Sequence, residues 1–363
     1  MAYTTVDDAT IYFSTTLYTG DGQQNRAVTI DGTGMQPNML WIKSRSLGEQ
    51  HVLGDSVRGA TKKIIPSSNE AESTSATNIA SFTSTGFTVA NGGVDGAVNQ
   101  NGATYVSWAW KTDTSFTNDA SGTGIGTIDS TGSVNDTAGF SIVSYTSTGS
   151  NGSIKHGLST APSMIIFKRR SGDTENWPVY HQALGNTHFI KLNSTDAQSD
   201  SATRFNDTSP TSSVFTVGTS GDTNGGTSPF IAYCFAEKKG YSKFGSYKGN
   251  NDADGPFIYL GFKPAFLIMK ETSGTGNWAI IDSTRSFHNV GNHTLASNLD
   301  DREDQFGGGE SVNGGSNKID LVSNGFKIRE ASAYNNGSGD DYIYMAFAEN
   351  PFVTSTGIPT TAR

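Results

Sequence analysis

The residue types that could support catalysis or metal binding are scattered along the chain. Only His181 with His188 and His288 with His293 are close in sequence, and neither spacing matches the i, i+4 histidines of a zinc-binding helix. The sequence contains no nucleophile elbow, phosphate-binding loop or dinucleotide fingerprint. We therefore interpret the histidines as solvated or hydrogen-bonded loop residues, and we predict a protein that is not an enzyme and uses no cofactor. The six histidines are His51, His156, His181, His188, His288 and His293.

Carboxylates crowd into three short segments, residues 250–256, 298–305 and 337–344. The first, "NNDADGP", has the composition of a calcium loop but lacks the terminal glutamate of an EF-hand. A plain Asx-rich turn has the same composition, and we favour it. The paired acids of a glycoside hydrolase come together in space rather than in sequence, so sequence spacing does not test for them. We assign no metal site.

Five tryptophans offer aromatic surfaces that could stack on sugars. Most lie inside apolar runs, which favours packing in the core. Trp177 and Trp278 differ because each follows an asparagine at the edge of a predicted turn. We select these two as the candidates for contact with a glycan.

These residues belong to a unit that the chain repeats three times. Pro37, Pro162 and Pro264 each precede a short apolar run, and a lysine lies six residues after each proline: Lys43, Lys168 and Lys270. A tyrosine precedes each proline by 17 to 19 residues. An alternating strand follows, and its aligned aromatic residue lies 73 or 83 residues after the proline. The aligned residues of that last strand are Trp110, Phe235 and Phe347.

The repeated segments indicate β-strands. "TYVSWAWKT" alternates strictly, which places Val106, Trp108 and Trp110 on one face and Tyr105 on the other. The runs after the prolines are continuously apolar, as expected for central strands covered on both faces, and we expect each lysine to mark the point where its strand reaches solvent. The predicted fold is all-β, with three tandem jelly-roll or concanavalin-like β-sandwich domains.

The predicted boundaries follow the repeats. Repeat 1 covers residues 1–112, repeat 2 covers 139–240 and repeat 3 covers 241–350, with a linker rich in Gly, Ser, Thr and Asp at 113–138. Residues 351–363 form a predicted extended tail, because Pro351 and Pro359 disfavour a regular strand. Repeats 1 and 3 share the motif Asp-Ser-x-Arg, at Asp55–Arg58 and Asp282–Arg285, and repeat 2 lacks it.

Composition excludes several classes of partner. The net charge is −9, charged residues make up only 16%, and Lys and Arg form no runs. A nucleic-acid groove needs a basic footprint, and so does a polybasic membrane contact. Cys234 is the only cysteine and lies in an apolar run, so we expect a buried thiol in a protein made under reducing conditions.

Three strings give the chain a resemblance to a known group. The opening "MAYTTVDDATIYF", the stretch "HVLGDSVRGATKKI" and the close "MAFAENPFVTSTGIPTTAR" resemble structural proteins of tailed bacteriophages from marine environments. Those proteins carry tandem copies of a β-rich domain of uncharacterised function. The resemblance implies a virion component, often tail-fibre-like, and it supplies no catalytic or binding residues.

The resulting expectation is a bacteriophage virion protein made in the host cytoplasm. A tail-fibre or receptor-binding role in host adhesion leads, and the alternatives are a capsid-decorating or head-fibre protein or a lectin-like carbohydrate-binding module. The expected partners are further copies of the chain, most simply a homotrimer, other virion proteins and a glycan of the host surface. We expect the tail at 351–363 to pack on a neighbouring subunit or domain.

Overall fold

The computed structural model describes residues 3–90, 96–286, 288–291, 293–303, 305 and 318–360. The described chain is built mainly of antiparallel strands, with three α-helices of four residues each and one 3-10 helix. No helix in these ranges is long and apolar enough to cross a membrane.

Repeat 1 consists of two main sheets and a small two-stranded one. The first sheet has the order β1-β9-β3-β4, the second has the order β2-β8-β7, and β5 pairs with β6. The 3-10 helix Ala9–Ile11 precedes them. The strands are β1 Phe13–Thr19, β2 Arg26–Thr29, β3 Met39–Ser44, β4 Val52–Asp55, β5 Lys62–Lys63, β6 Ser73–Thr74, β7 Ile79–Thr83, β8 Gly86–Val89 and β9 Thr104–Trp110.

The segment predicted to be a linker is folded. It forms β10 (Thr114–Asn118), α1 (Ala120–Thr123) and β11 (Ser130–Asn135). β11 pairs with the first strand of repeat 2, and β10 pairs with β11. This polar segment therefore adds two strands to the sheet of repeat 2, because each residue of a strand can satisfy its backbone groups whatever its side chain.

Repeat 2 has the same plan with a larger first sheet. Its order is β10-β11-β12-β19-β14-β15-β16-β17, and β13 pairs with β18 in a second sheet. The elements are β12 Phe140–Thr146, β13 Gly152–Lys155, β14 Met164–Arg169, β15 Pro178–His181, β16 His188–Lys191, β17 Ser199–Asp200, α2 Ala202–Phe205, β18 Val214–Val217 and β19 Pro229–Phe235.

Repeat 3 returns to the plan of repeat 1. One sheet has the order β20-β26-β22-β23, and the other has the order β21-β25-β24. The elements are β20 Ser242–Lys248, β21 Phe257–Tyr259, β22 Phe262–Glu271, β23 Ala279–Asp282, β24 Ile319–Val322, β25 Gly325–Ile328, α3 Ala333–Asn336 and β26 Asp341–Pro351.

The predicted alignment of the three repeats is confirmed by strand register. Met39 pairs with Trp110, Met164 with Phe235, and Phe266 with Phe347, and each first partner lies two residues after its repeat's proline. Pro37 and Pro162 lie two residues before their strands begin, whereas Pro264 lies inside β22 at a register irregularity. Such an irregularity tolerates a residue without an N–H group.

Each repeat also packs the same trio of aromatic rings inside itself. The predicted tyrosine of each repeat stacks on a ring of the last strand, with Tyr18 on Tyr105 at 5.1 Å and Tyr145 on Phe230 at 5.4 Å. In repeat 3, Tyr247 stacks on Tyr342 with their ring centroids 4.9 Å apart. A phenylalanine of the second sheet meets each tyrosine edge-on at 6.0 to 6.1 Å, and these are Phe87, Phe215 and Phe326.

The first sheets of all three repeats also share one central core. Trp110, Phe235 and Phe347 are each 1% exposed and meet one another, with ring centroids 5.7 to 6.2 Å apart. Leu40 and Ile42 face the second sheet of repeat 1, whereas Trp41 faces the shared core, so β3 is covered on both sides as predicted. The repeats therefore fold as one body around their aromatic strands.

The C-terminal residues turn back on their own chain. β26 ends at Pro351, and Val353 bridges to Pro359 beyond it. The backbone N–H of Ser355 donates to Asp7 Oδ1 at 2.6 Å. Phe352 and Ile358 remain 36% and 62% exposed. The Ser355 contact joins the tail to repeat 1, which is one of the two predicted arrangements, and packing on a neighbouring subunit stays a prediction.

Candidate functional site

Three of the histidines are structural. His51, His156 and His181 are fully buried, and a ring nitrogen of each lies 2.8 to 3.1 Å from a backbone carbonyl oxygen. Burial lowers the pKa of His51 to about 3 and the pKa of His156 and His181 to about 4. These imidazoles are therefore neutral at physiological pH and hold loops in place.

The acidic segments are engaged in turns and ion pairs. In residues 250–256 the N–H of Asp252 donates to Asn250 Oδ1 at 3.0 Å and the N–H of Asp254 donates to Asp252 Oδ1 at 2.8 Å, which is an Asx-turn arrangement. The Asp254 carboxylate also pairs with Lys327 at 2.8 Å. Across the described residues, no group of three or more His, Cys, Asp or Glu side chains is placed to hold a metal ion.

The three repeated lysines are buried, so the prediction that they mark solvent-reaching strand ends is wrong. Lys43, Lys168 and Lys270 are at most 1% exposed. Each ammonium donates to a carbonyl of a different repeat: Asp300 O at 3.1 Å, Asn69 O at 2.9 Å and Thr195 O at 3.3 Å, respectively. Repeat 1 thus contacts repeat 3, repeat 2 contacts repeat 1, and repeat 3 contacts repeat 2, which closes a cycle.

Trp177 and Trp278 are also buried, 0% and 1% exposed, so their prediction as surface aromatics for glycan contact is wrong. The indole N–H of Trp177 donates to Ser68 O in repeat 1, and that of Trp278 donates to Lys191 O in repeat 2. His51 occupies the aligned position of repeat 1 and reaches Ala296 O in repeat 3. The predicted position at the edge of a turn is correct for these side chains, but another repeat covers each of those edges.

The Asp-Ser-x-Arg motifs anchor two buried charge networks between repeats. Arg58 contacts Asp55 at 2.5 Å and Glu72 at 3.1 Å, and Arg170 of repeat 2 joins Glu72 at 2.9 Å. The hydroxyl of Tyr233, also in repeat 2, donates to Asp55 at 2.7 Å. We call this set network 1/2.

Network 3/1 repeats the arrangement with aligned residues. Arg285 contacts Asp282 at 2.6 Å and Glu303 at 3.1 Å, and Arg45 of repeat 1 joins Glu303 at 2.8 Å. Trp108 of repeat 1 takes the place of the tyrosine and donates to Asp282 at 3.0 Å. The boundary between repeats 2 and 3 has no such network among the described residues. The residues aligned with the five network members there are His181, Leu184, Gln198, Thr272 and Met345.

A buried asparagine in each repeat was missed by the sequence reading. Asn99, Asn224 and Asn336 are 0% exposed, and each side chain accepts a backbone N–H from the loop after the repeat's tyrosine. Each lies 11 residues before the aligned aromatic of the last strand. That constant spacing was the available signal.

One open cleft lies at the boundary between repeats 3 and 1. It has a volume of about 440 Å³ and is bordered by Asp31, Thr15, Lys263, Ser283 and Glu349, among others. The Thr15 hydroxyl is buried and lacks a hydrogen-bond partner. Lys263 and Glu349 pair with each other at 3.0 Å. This is a concave, polar site at a boundary between structural units, the ordinary location for a ligand.

The other two boundaries are filled at the equivalent point. The residues aligned with Thr15 are Ile142 and Phe244, which are both buried in the central core. At the boundary of repeats 2 and 3, the Gln182 amide also donates to Phe244 O at 2.7 Å. The cleft therefore contains a small polar side chain at a position that is apolar in the other two repeats.

Comparison with known proteins places the chain in one family. Residues 8–351 match the family model described as a domain of unknown function, DUF7483, and the chain belongs to that family. The match spans all three repeats, so the family unit is the whole three-repeat body. No curated protein is recognisably similar to this chain.

Proposed function

We propose that the protein is a virion surface component of a tailed bacteriophage, made in the host cytoplasm, and that it acts as a tail-fibre or receptor-binding protein in host adhesion. The motive is the resemblance of its opening, central and closing strings to phage structural proteins. Those strings lie within or beside the three-repeat body that carries the family match.

The observation that carries the proposal is the way in which the repeats are interlocked. The buried lysine of each repeat donates to a neighbouring repeat in a closed cycle, and so does the aligned His51, Trp177 or Trp278. Two of the three boundaries add a buried charge network. Such cross-connection resists local opening, because breaking one boundary exposes buried polar groups on both sides. A particle component outside the cell needs this resistance more than an intracellular enzyme does.

The finer fold assignment is part of the same proposal. Each repeat has two sheets that share an internal core, as shown for repeat 1 by the packing of Tyr18, Leu40 and Phe87 in one cluster. This packing supports a concanavalin-like or jelly-roll sandwich for each repeat. Loops at the sandwich edges are the usual places for recognition.

A capsid-decorating or head-fibre protein is the second candidate. The observation that favours it is the approximate threefold arrangement of three repeats within one chain. A single such chain presents three related faces, as a trimer does on a threefold axis of a shell.

Labelling of particles tests the proposal. Phage particles purified from a host that produces this protein are incubated with antibodies raised against the recombinant chain and imaged by electron microscopy. Label at the tail supports the adhesion role, and label over the head supports the second candidate. Protein that stays in the lysate and never sediments with particles contradicts both.

The predicted homotrimer has a separate test. Light scattering gives the mass of the full-length protein in solution, and deletion of residues 352–363 tests the predicted contact of the tail with a neighbouring subunit. A trimer that dissociates on deletion supports both predictions. A full-length monomer contradicts the homotrimer, and an unchanged oligomer contradicts the role of the tail.

A further inference from the structure

Repeat 3 exposes a pair of aromatic side chains that the other repeats lack. Phe257 and Tyr259 on β21 are 47% and 53% exposed, while Ile258 between them is buried. The aligned strand of repeat 1 carries Ala27 and Thr29 at the two exposed positions, and the aligned strand of repeat 2 carries Ser153 and Lys155. The fold therefore does not require aromatic residues there.

The location of the pair points to a partner. β21 is an edge strand of its three-stranded sheet. Edge strands are normally protected by charged residues, because an exposed apolar edge invites association. Lys155 is such a residue on the aligned edge strand of repeat 2. Contiguous exposed apolar side chains are a feature of interaction surfaces.

Two cations accompany the rings. Lys243 Nζ lies 5.4 Å from the centroid of Tyr259 and donates to Tyr259 O at 3.0 Å. Lys239 Nζ lies 4.8 Å from the centroid of Tyr3, and the Tyr3 hydroxyl donates to Gly261 O at 2.6 Å, which holds the N-terminal ring beside β21. We call Tyr3, Lys239, Lys243, Phe257 and Tyr259 the repeat 3 aromatic patch.

The charge of the patch is unbalanced. Among the described residues, neither Lys239 nor Lys243 has a carboxylate within ion-pair distance, whereas the nearby Lys327 is paired with Asp254 at 2.8 Å. The residues aligned with Lys243 are Ser14 and Ser141, so this cation is again specific to repeat 3. In a chain of net charge −9, two unpaired cations beside exposed rings suit a ligand that is itself anionic.

We propose that the repeat 3 aromatic patch binds an acidic polysaccharide. Two sugar rings lie on Phe257 and Tyr259, whose side chains are about 7 Å apart along one face of the strand. The carboxylate of a uronic acid unit pairs with Lys243 and Lys239. The inference rests on the proposed adhesion function and names the class of surface glycan that the protein recognises.

Affinity electrophoresis in native gels tests the site. The full-length protein runs in gels containing polygalacturonate, an acidic polysaccharide, or dextran, a neutral one. We expect retardation by polygalacturonate and none by dextran. The double variant Phe257→Ala, Tyr259→Thr, which installs the residues of repeat 1, should weaken the apparent affinity by at least about tenfold. Lys243→Ser, which installs the residue of repeats 1 and 2, should also weaken it.

The matched control is Ser153→Ala with Lys155→Thr, the same replacement on the aligned strand of repeat 2, which should leave retardation unchanged. Each replacing residue is the one that another repeat carries at the aligned position, so the variants should fold. Their melting temperatures check this. Unretarded wild-type protein overturns the proposal, and so does retardation that the aromatic replacements do not change. A double variant that loses only self-association, measured by light scattering, identifies a subunit contact and also overturns it.

The two proposals fail separately. Protein that labels particles but is not retarded by polygalacturonate retains its proposed function and loses this site. Protein that is retarded through Phe257 and Tyr259 but never sediments with particles retains the site and loses the virion role.

Discussion

The three boundaries between repeats share one backbone arrangement but differ in charge. At each boundary a loop N–H donates to the end of the neighbour's central strand: Glu72 to Arg170 O, Glu303 to Arg45 O and Gln198 to Thr272 O, at 2.9 to 3.1 Å. Two boundaries add the buried networks 1/2 and 3/1, whereas the boundary of repeats 2 and 3 is neutral at all five aligned positions.

The difference teaches that the charges change as a set. An arginine such as Arg58, whose side chain is 0% exposed, is tolerated only with its carboxylates in place, because an unpaired buried charge costs several kcal/mol. Replacing the whole set with neutral residues that pack well removes both the attraction and the desolvation cost, and is often neutral. The boundary with His181 and Leu184 has the second arrangement.

The largest effect should come from breaking one network at a single member. Arg58→Leu installs the residue found at the neutral boundary, but it leaves the buried Asp55 carboxylate without a guanidinium partner and Glu72 with Arg170 alone. We expect the free energy of unfolding to fall by about 3–5 kcal/mol, measured by denaturant titration.

Arg26→Leu is the control for Arg58→Leu. Arg26 is partly exposed and lies 3.9 Å from the more exposed Asp21, so its loss should cost less than about 1 kcal/mol. Equal losses for the two variants would show that network 1/2 is worth no more than a surface pair.

The fold was largely predictable because hydrophobic period and repeat spacing are local signals. The alternation in β9 correctly separated Trp108 and Trp110 from Tyr105, and the proline register correctly aligned Trp110, Phe235 and Phe347. These features depend on strand geometry alone, which each repeat carries in its own residues.

The functional candidates were not predictable in the same way. Lys43 and Trp177 have the residue types and turn positions of surface groups, and they are buried only because another repeat covers them. The exposure of Phe257 likewise depends on an edge that only sheet order defines. The repeat spacing shows that these lysines recur, but it does not show that another repeat covers them.

The second largest loss of unfolding free energy should come from replacing a buried lysine, and it should be similar at every boundary. Lys270 serves the neutral boundary, and its ammonium donates to Glu271 O at 2.5 Å and to Thr195 O at 3.3 Å. Lys270→Met leaves these carbonyls unsatisfied, so we expect a loss of about 2–3 kcal/mol in unfolding free energy. Lys43→Met should cost a similar amount at a charged boundary. A much smaller loss at one of them would show that the shared arrangement is not equally important everywhere.

The same lysines predict a pH dependence. Burial lowers the pKa of Lys270 to about 8 from 10.5, so between these pH values the unfolded chain holds a proton that the folded chain has lost. The lysine's contribution to stability therefore rises with pH across this window and does not change with pH below it. Wild-type stability minus Lys270→Met stability should increase from pH 8 to pH 10 in thermal melts. A flat difference contradicts the lowered pKa.

A whole-set replacement should cost less than the single break. The variant Asp55→His, Arg58→Leu, Glu72→Gln, Arg170→Thr, Tyr233→Met gives network 1/2 the residues of the neutral boundary. Because no buried charge is left unpaired, we expect a loss below about 2 kcal/mol, smaller than that of Arg58→Leu alone. A loss larger than that of the single variant would show that the network itself stabilises the boundary.

The smallest effect concerns the cleft, where the charged boundary of repeats 3 and 1 differs from the other two by Thr15. Thr15→Ile installs the residue of repeat 2, fills part of the void of about 440 Å³ and removes a buried hydroxyl without a partner. Both changes favour the folded state, so we expect a gain of up to about 1 kcal/mol, seen as a higher melting temperature. Ser14→Ala is the contrasting variant on the same strand. The Ser14 hydroxyl donates to Asp31 O at 2.9 Å, so its removal should lower the melting temperature. If Thr15→Ile lowers the melting temperature, the hydroxyl has a role in the cleft that its present contacts do not explain, and the cleft becomes the stronger candidate for a ligand site.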